Sequence, residues 1–246
     1  MSSRCKSKGK VIEFLGLPAA GKTTLALAVA DILRAEGVRV FLPAVHEVHP
    51  SGGVRNKASR LAFLCGRFLR HPAALWRAFA AIRRTRQETH ADLRTVLENL
   101  VTVAWLAERA RAEGGVHLFD QGVFQAVWSV GLNAAYFDAK RHLTRLPRPD
   151  LLVLVTVEPQ SGLSRLAARA EDGSRLGQVI HGQPHLYVHA SNVLDAVREA
   201  ADGLARERKI RIMSLDGTSP DHLEANAKAV AEAIAALETE PERPES

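Results

Sequence analysis

Only two of the 246 residues are cysteine, Cys5 in a polar opening stretch and Cys65 in a helical one. Neither belongs to a Cys-x-x-Cys pair or a Cys/His set at zinc spacing. This argues against a disulfide framework and a structural zinc site, and for free thiols in a reducing compartment. Aromatic residues make up 5% of the chain, too few to suggest a platform that stacks single-stranded bases. Long apolar runs are also lacking: the longest, Leu151 to Val157, contains Thr156 and falls far short of a bilayer span. The opening MSSRCKSKGK is basic and has no apolar core of the kind a secretion signal needs. Cytoplasmic residence is therefore expected, with no membrane span.

What is present is ordinary globular composition, 46% hydrophobic and 24% charged. The net charge of +6 is unevenly placed. Ten basic residues lie between Arg55 and Arg94 (Arg55, Lys57, Arg60, Arg67, Arg70, Arg77, Arg83, Arg84, Arg86, Arg94), opposed only by Glu88 and Asp92. A concentrated positive field favours phosphorylated substrates, nucleic acid or an acidic surface, and a solvated arginine-rich helical face explains it equally well. Leu61, Phe68, Leu75, Trp76 and Phe79 interleave with the arginines, a pattern of packed amphipathic helices rather than a free basic arm.

Periodicity sorts the chain into alternating elements. Short apolar runs at 11–15, 38–42, 116–120, 151–157 and 209–215 read as strands. The first helix carries Leu25, Val29, Ile32 and Leu33 on one side and stops near Gly37. From Pro43 to about Gly115 no strand is expected; helices are predicted near 55–70, 72–88 and 90–112. The last helix should start at Ser219-Pro220 and bury Leu223, Ala227, Val230, Ile234 and Leu237. Five strands separated by helices imply an α/β fold with a parallel sheet covered on both faces, whose ligands bind at the carboxyl ends of the strands. The expected organisation is one domain over 10–238 between flexible tails at 1–9 and 239–246. It carries a helical insert at 43–112 between strands two and three, and a lid at about 160–190.

Gly16-Leu17-Pro18-Ala19-Ala20-Gly21-Lys22-Thr23 fits G-x-x-x-x-G-K-[ST] in full, between a predicted strand and a predicted helix. Average composition makes a chance match in a chain this long roughly a 1% event, so the motif is read as a P-loop. Its glycines let consecutive N–H groups converge on a phosphate at the helix N-terminus. Gly16, Ala19, Ala20, Gly21, Lys22, Thr23 and Thr24 are the expected nucleotide contacts, with Lys22 between the β- and γ-phosphates and the Thr23 hydroxyl on Mg2+. Asp120, closing the third strand, sits where a second metal-holding acid belongs. Gln121 follows it; a neutral amide cannot take a proton from water, so hydrolysis is disfavoured against transfer to a bound acceptor. No Asn-Lys-x-Asp element is correctly placed to read guanine.

Beyond the fourth strand, Arg165 and Arg169 are four apart, on one helix face, and Arg175 lies past an Asp172-Gly173 turn. Guanidinium groups there could close over the transferring phosphate. His181, His185 and His189 repeat at four, but Pro184 breaks the helix between them and no carboxylate completes a metal set. Glu47, between His46 and His49 after strand two, and Arg55 in the basic insert are placed to meet an acceptor, as is Gln121.

With these residues assembled, the chain resembles the nucleoside and nucleotide kinases among P-loop proteins, thymidylate kinase in particular. The resemblance rests on the loop G-L-P-A-A-G-K-T-T, the aspartate closing strand three, the run R-P-D-L-L-V-L-V-T-V-E-P-Q before an arginine-bearing segment, and L-D-G-T-S-P-D-H-L before the final helix. It implies the P-loop NTPase fold with a five-stranded parallel sheet, a lid carrying Arg165, Arg169 and Arg175, and Asp216, Gly217 and Thr218 near the adenine. A homodimer is a further implication. The sequence departs from the family on the acceptor side. Leu15 replaces the acid before the first loop glycine, with Glu13 two residues earlier expected to point elsewhere. Asp120-Gln121 replaces Asp-Arg, and only Pro50-Ser51-Gly52-Gly53 remains of the substrate loop.

The expected activity is ATP- and Mg2+-dependent phosphoryl transfer to a small-molecule acceptor, a nucleoside or nucleotide among the options, with sugars and other alcohols close behind. The rival is a nucleotide-dependent switch whose basic helices engage nucleic acid or an anionic surface. The interleaved apolar residues weigh against nucleic acid as a partner.

Overall fold

The computed structural model describes residues 8–43, 62, 65–66, 72–144, 146–168, 184–207 and 209–239. Glu47 and its flanking histidines, Pro50–Gly53, Arg55, Arg169, Arg175 and His181 lie outside the described residues.

The chain enters as β1 (Lys10–Leu15), passes through the Gly16–Gly21 loop into α1 (Lys22–Ala35), and reaches β2 (Val40–Phe41). α2 (Pro72–Arg83) and α3 (His90–Glu113) lead to β3 (Val116–Phe119), α4 (Val123–Leu132) and α5 (Ala139–Leu143). β4 (Leu151–Thr156), α6 (Pro159–Ala168), α7 (Pro184–Arg206) and β5 (Arg211–Asp216) follow, and a 3-10 turn (Pro220–His222) opens α8 (Leu223–Thr239). The five strands form one sheet in the order β2-β3-β1-β4-β5, every neighbouring pair parallel. A glycine-rich loop running from the central strand into a helix makes this the P-loop NTPase fold.

Alternation along the strands divides the core. Ile12, Phe14, Val153 and Val155 face α1 and α8, packing on Leu25, Val29, Leu33, Val230 and Ile234. Leu15, Leu152 and Leu154 face the opposite layer, with Val123, Phe124 and Val127 of α4 and Tyr187, Val193 and Val197 of α7. Each such aliphatic or aromatic side chain removed from water stabilises by about 1.5–3 kcal/mol, so the two faces together hold the sheet. Asp150 ties down the start of β1: its carboxylate accepts from the Val11 N–H at 2.7 Å, and its own N–H donates to the Val11 carbonyl at 2.8 Å.

Several predicted boundaries move. β2 is only two residues, shorter than the 38–42 run, and α8 starts at Leu223 because the Ser219 hydroxyl caps the preceding turn through the Asp221 N–H. α2 ends at Arg83 rather than continuing to 88. Thr85 bonds back to the Ile82 carbonyl, Arg86 adopts a left-handed φ of 50°, and Gln87 turns away to bond the Val130 carbonyl. Trp76 and Phe79, expected among packed apolar residues, are exposed and stack on each other with centroids 6.0 Å apart. Pro184, read as a helix breaker, instead heads α7, where a missing N–H leaves no bond unmade.

Candidate active site

The loop after β1 is shaped for an anion. Ala19 and Gly21 both have left-handed backbone, with φ of 64° and 89°. For alanine that conformation costs about 1 kcal/mol or more, so the surrounding structure must impose it. Gly21 is the N-cap of α1, no side chain caps it, and the first N–H groups of the helix therefore face the loop. The Lys22 ammonium donates to the Gly16 and Leu17 carbonyls, both at 2.8 Å, and so lies across the loop it would share with a phosphate.

Thr23 and Asp120 are 97 positions apart in sequence, yet the Thr23 hydroxyl donates to Asp120 Oδ2 at 2.9 Å. Asp120 is buried, and its other oxygen, Oδ1, has no hydrogen-bond partner among the described residues. A buried carboxylate oxygen without a donor is expensive unless something positive meets it. A hydroxyl and a carboxylate in contact, with one oxygen unsatisfied, form a donor set suited to a hard divalent cation such as Mg2+.

Glu13 supplies a feature that the sequence reading placed wrongly. Being two residues from Leu15, it shares that residue's sheet face, and it is only 1% exposed. Its Oε1 accepts from the N–H groups of Phe124 at 2.5 Å and Gln125 at 3.0 Å, so its carboxyl caps the start of α4. Burial pushes its pKa up from 4.5 to about 8, against the opposing pull of the backbone N–H groups of Gln125, Phe124 and Val123. A side chain at Gly122 would put its Cβ 2.2 Å from the Glu13 carboxyl carbon, so the close approach requires glycine. Gln125, anchored this way through its N–H, presents its side-chain oxygen to the Gly16 N–H at 3.4 Å. One chain of contacts thus runs from β1 through α4 to the first glycine of the loop. Strand alternation together with a lone acid in an apolar run was the available signal for Glu13; Gln125 carried none.

The loop after β5 closes the opposite side. A Cβ on Gly217 would stand 2.6 Å from the Ala20 carbonyl, which places 216–218 directly against the P-loop. Asp216 Oδ1 accepts from the Thr218 N–H at 2.8 Å; the Thr218 hydroxyl first, and then this backbone bond, hold the carboxyl below its ordinary range. The Arg165 guanidinium donates to the carbonyls of both Gly217 and Thr218. The structure therefore brings Gly16–Thr24, Asp120, Arg165 and Asp216–Thr218 together at the carboxyl ends of β1, β3, β4 and β5. Gln121 is exposed beside Asp120.

Two thymidylate kinases bear on what this assembly is. One from Xanthomonas oryzae pv. oryzae (strain PXO99A) is 30% identical over 172 residues, 70% of this chain and 66% of the relative. Another from Xanthomonas campestris pv. campestris (strain B100) is 32% identical over 164 residues, 66% of this chain and 63% of the relative. The chain belongs to the thymidylate kinase-like P-loop kinases. It spans about two thirds of the length of these relatives, or slightly less, and no family model matches it. Membership agrees with the five-stranded parallel sheet and with a loop of kinase type after its central strand. Among the described residues, no helix of this kinase-like chain is long and apolar enough to cross a membrane.

Proposed function

We propose that the protein transfers the γ-phosphoryl group of ATP, with Mg2+, to a small-molecule acceptor of the nucleoside or nucleotide class. The observation that carries this reading is the Thr23–Asp120 pair at the mouth of the loop, with one buried carboxylate oxygen left for a cation. The kinship with thymidylate kinases supports nucleotide phosphoryl transfer in general; the donor, the metal and the acceptor are our assignment.

In this reading, backbone N–H groups from Gly16 to Thr24, Ala19, Ala20 and Gly21 among them, cradle the β- and γ-phosphates at the start of α1. Lys22 exchanges its loop carbonyls for phosphate oxygens and neutralises charge that grows as the bridging bond breaks. Thr23 and Asp120 would hold the cation, which would supply charge neutralisation at the phosphates. Asp216, Gly217 and Thr218 form the wall for the base. Arg165 keeps that wall in place through the Gly217 and Thr218 carbonyls, while Arg169 and Arg175 are assigned to the transferring phosphate. Glu47, Arg55 and Gln121 are assigned to the acceptor. The residue after Asp120 is glutamine, whose neutral amide cannot take a proton from water, which favours a bound acceptor over hydrolysis.

The test is ADP release from ATP and Mg2+, run alone and against a panel of nucleosides, nucleotides, sugars and amino alcohols. Release stimulated by one acceptor class is expected, and Lys22→Ala should abolish it. Full activity in the Lys22→Ala protein would sink the assignment.

A further inference from the structure

The turn between α2 and α3 is built too firmly for a mere connector. The Thr85 hydroxyl bonds the Ile82 carbonyl at 2.6 Å, and its carbonyl accepts the Tyr136 N–H at 3.2 Å. The Gln87 amide donates to the Thr85 hydroxyl at 2.8 Å and the Val130 carbonyl at 3.0 Å, and Gln87 pairs with Ala134 in an isolated antiparallel bridge. These bonds fix Arg86 in its left-handed backbone conformation and draw its guanidinium over the Tyr136 ring, 5.5 Å from the centroid. Arg86 thus joins Arg83, Arg84, Ala80 and Tyr136 around an open cavity of about 460 Å³, within the size range of small-molecule sites.

Three arginines line one cavity, like charges that disfavour each other's company, and among the described residues no carboxylate pairs with any of them. The nearest acids in sequence to these arginines are Glu88, which is exposed, and Asp92, which is buried and accepts the Thr89 hydroxyl; Asp138, two residues from Tyr136, has its Oδ1 on the Arg141 N–H. The cavity lies toward the far end of α4 from Asp120 and the P-loop. Val123 at the head of that helix adjoins the Glu13 carboxyl and Val130 in its last turns holds Gln87, so about 10 Å of helix separates the two anchors at 1.5 Å per residue.

We propose that this cavity is a second anion site, taking the polyphosphate group of a small organic phosphate at a place separate from the P-loop. Guanidinium forks match phosphate oxygens two at a time, and three of them balance the charge of a di- or triphosphate. The exposed Tyr136 ring gives the organic part a surface to lie on. A lone carboxylate would leave most of the positive charge unanswered.

The experiment is calorimetric titration of the full chain with inorganic tripolyphosphate, with ATP in a parallel series. The proteins are the wild type, Lys22→Ala, the triple variant Arg83→Gln/Arg84→Gln/Arg86→Gln, and the combination. All three arginines are exposed, and an unchanged thermal melt establishes that the triple variant folds. Lys22→Ala should keep a binding event that the triple substitution weakens about ten-fold or more, and that raised salt weakens too. Arg86→Lys, which keeps charge but loses the fork, should fall between. Tripolyphosphate binding unaffected by the triple substitution, or lost entirely in Lys22→Ala alone, overturns the proposal. So does a single-stranded oligonucleotide that binds these arginines more tightly than either phosphate probe, since it would make the face a nucleic-acid surface.

Discussion

Replacing Glu13 by glutamine preserves the shape of the side chain and the oxygen that accepts from Phe124 and Gln125, and removes only its titration. The carboxyl's pKa rises from 4.5 in the unfolded chain to about 8 in the fold, so the folded protein holds the proton more tightly. The stability gained from that grip is complete below pH 4.5 and is lost as pH rises through 8. At about 1.4 kcal/mol per pH interval the loss is roughly 3 kcal/mol by pH 7 and about 4 by pH 8, where the folded carboxyl is half ionised, a large part of a domain's total stability. Glutamine pays nothing of this kind. Urea unfolding of both proteins at pH 5, 6, 7 and 8 measures the difference directly. Glu13→Gln should gain on the wild type at about 1.4 kcal/mol per pH interval across this range. Parallel stability curves would refute the reasoning and mean that the N–H groups of α4 hold an ionised carboxylate without penalty. Glu13→Ala is the contrast: it leaves a cavity and two unpaired buried N–H groups, and should lose about 2–4 kcal/mol at pH 5.

Gly122→Ala forces a methyl to within 2.2–2.5 Å of the Glu13 side chain and should destabilise by about 1–3 kcal/mol. Gly203→Ala in α7 meets only the end of Arg206, at 3.9 Å, and should stabilise by about 0.5–1 kcal/mol in the same unfolding assay. Arg165→Lys cannot bond the Gly217 and Thr218 carbonyls together, so nucleotide affinity measured by titration should fall about 5–10-fold while the melting temperature changes little. Unchanged affinity would detach Arg165 from the nucleotide wall.

The order of strands and helices was legible because apolar period and turn residues are local properties of the chain. The P-loop was legible for a related reason: its chemistry needs a contiguous run of backbone, so all its parts fall within nine consecutive residues, Gly16 to Thr24. Asp120 was found by position, since a strand's end can be read without knowing its neighbours. Its contact with Thr23, by contrast, exists only because β1 and β3 are adjacent in the sheet. Arg165 shows the limit from the other side. Its place on a helix after β4 was readable, yet what its guanidinium grips depends on β4 and β5 lying side by side, which brings residues 52 and 53 positions away into reach.

Gln125 and the cavity at Arg86 belong wholly to tertiary structure; for Glu13 the sequence marks a lone acid in a strand but not its partner. A carboxyl in an apolar strand carries no sign of what it meets, and only the packing of α4 over that face turns Glu13 into a helix cap. The turn after Arg83 is likewise decided by bonds to Val130 and Ala134, which override the local preference to continue the helix. Local sequence determined the elements and the phosphate loop, because short-range sterics and periodicity suffice for them. The packed fold decided which side chains meet, because those contacts join segments that are close only after the sheet has formed.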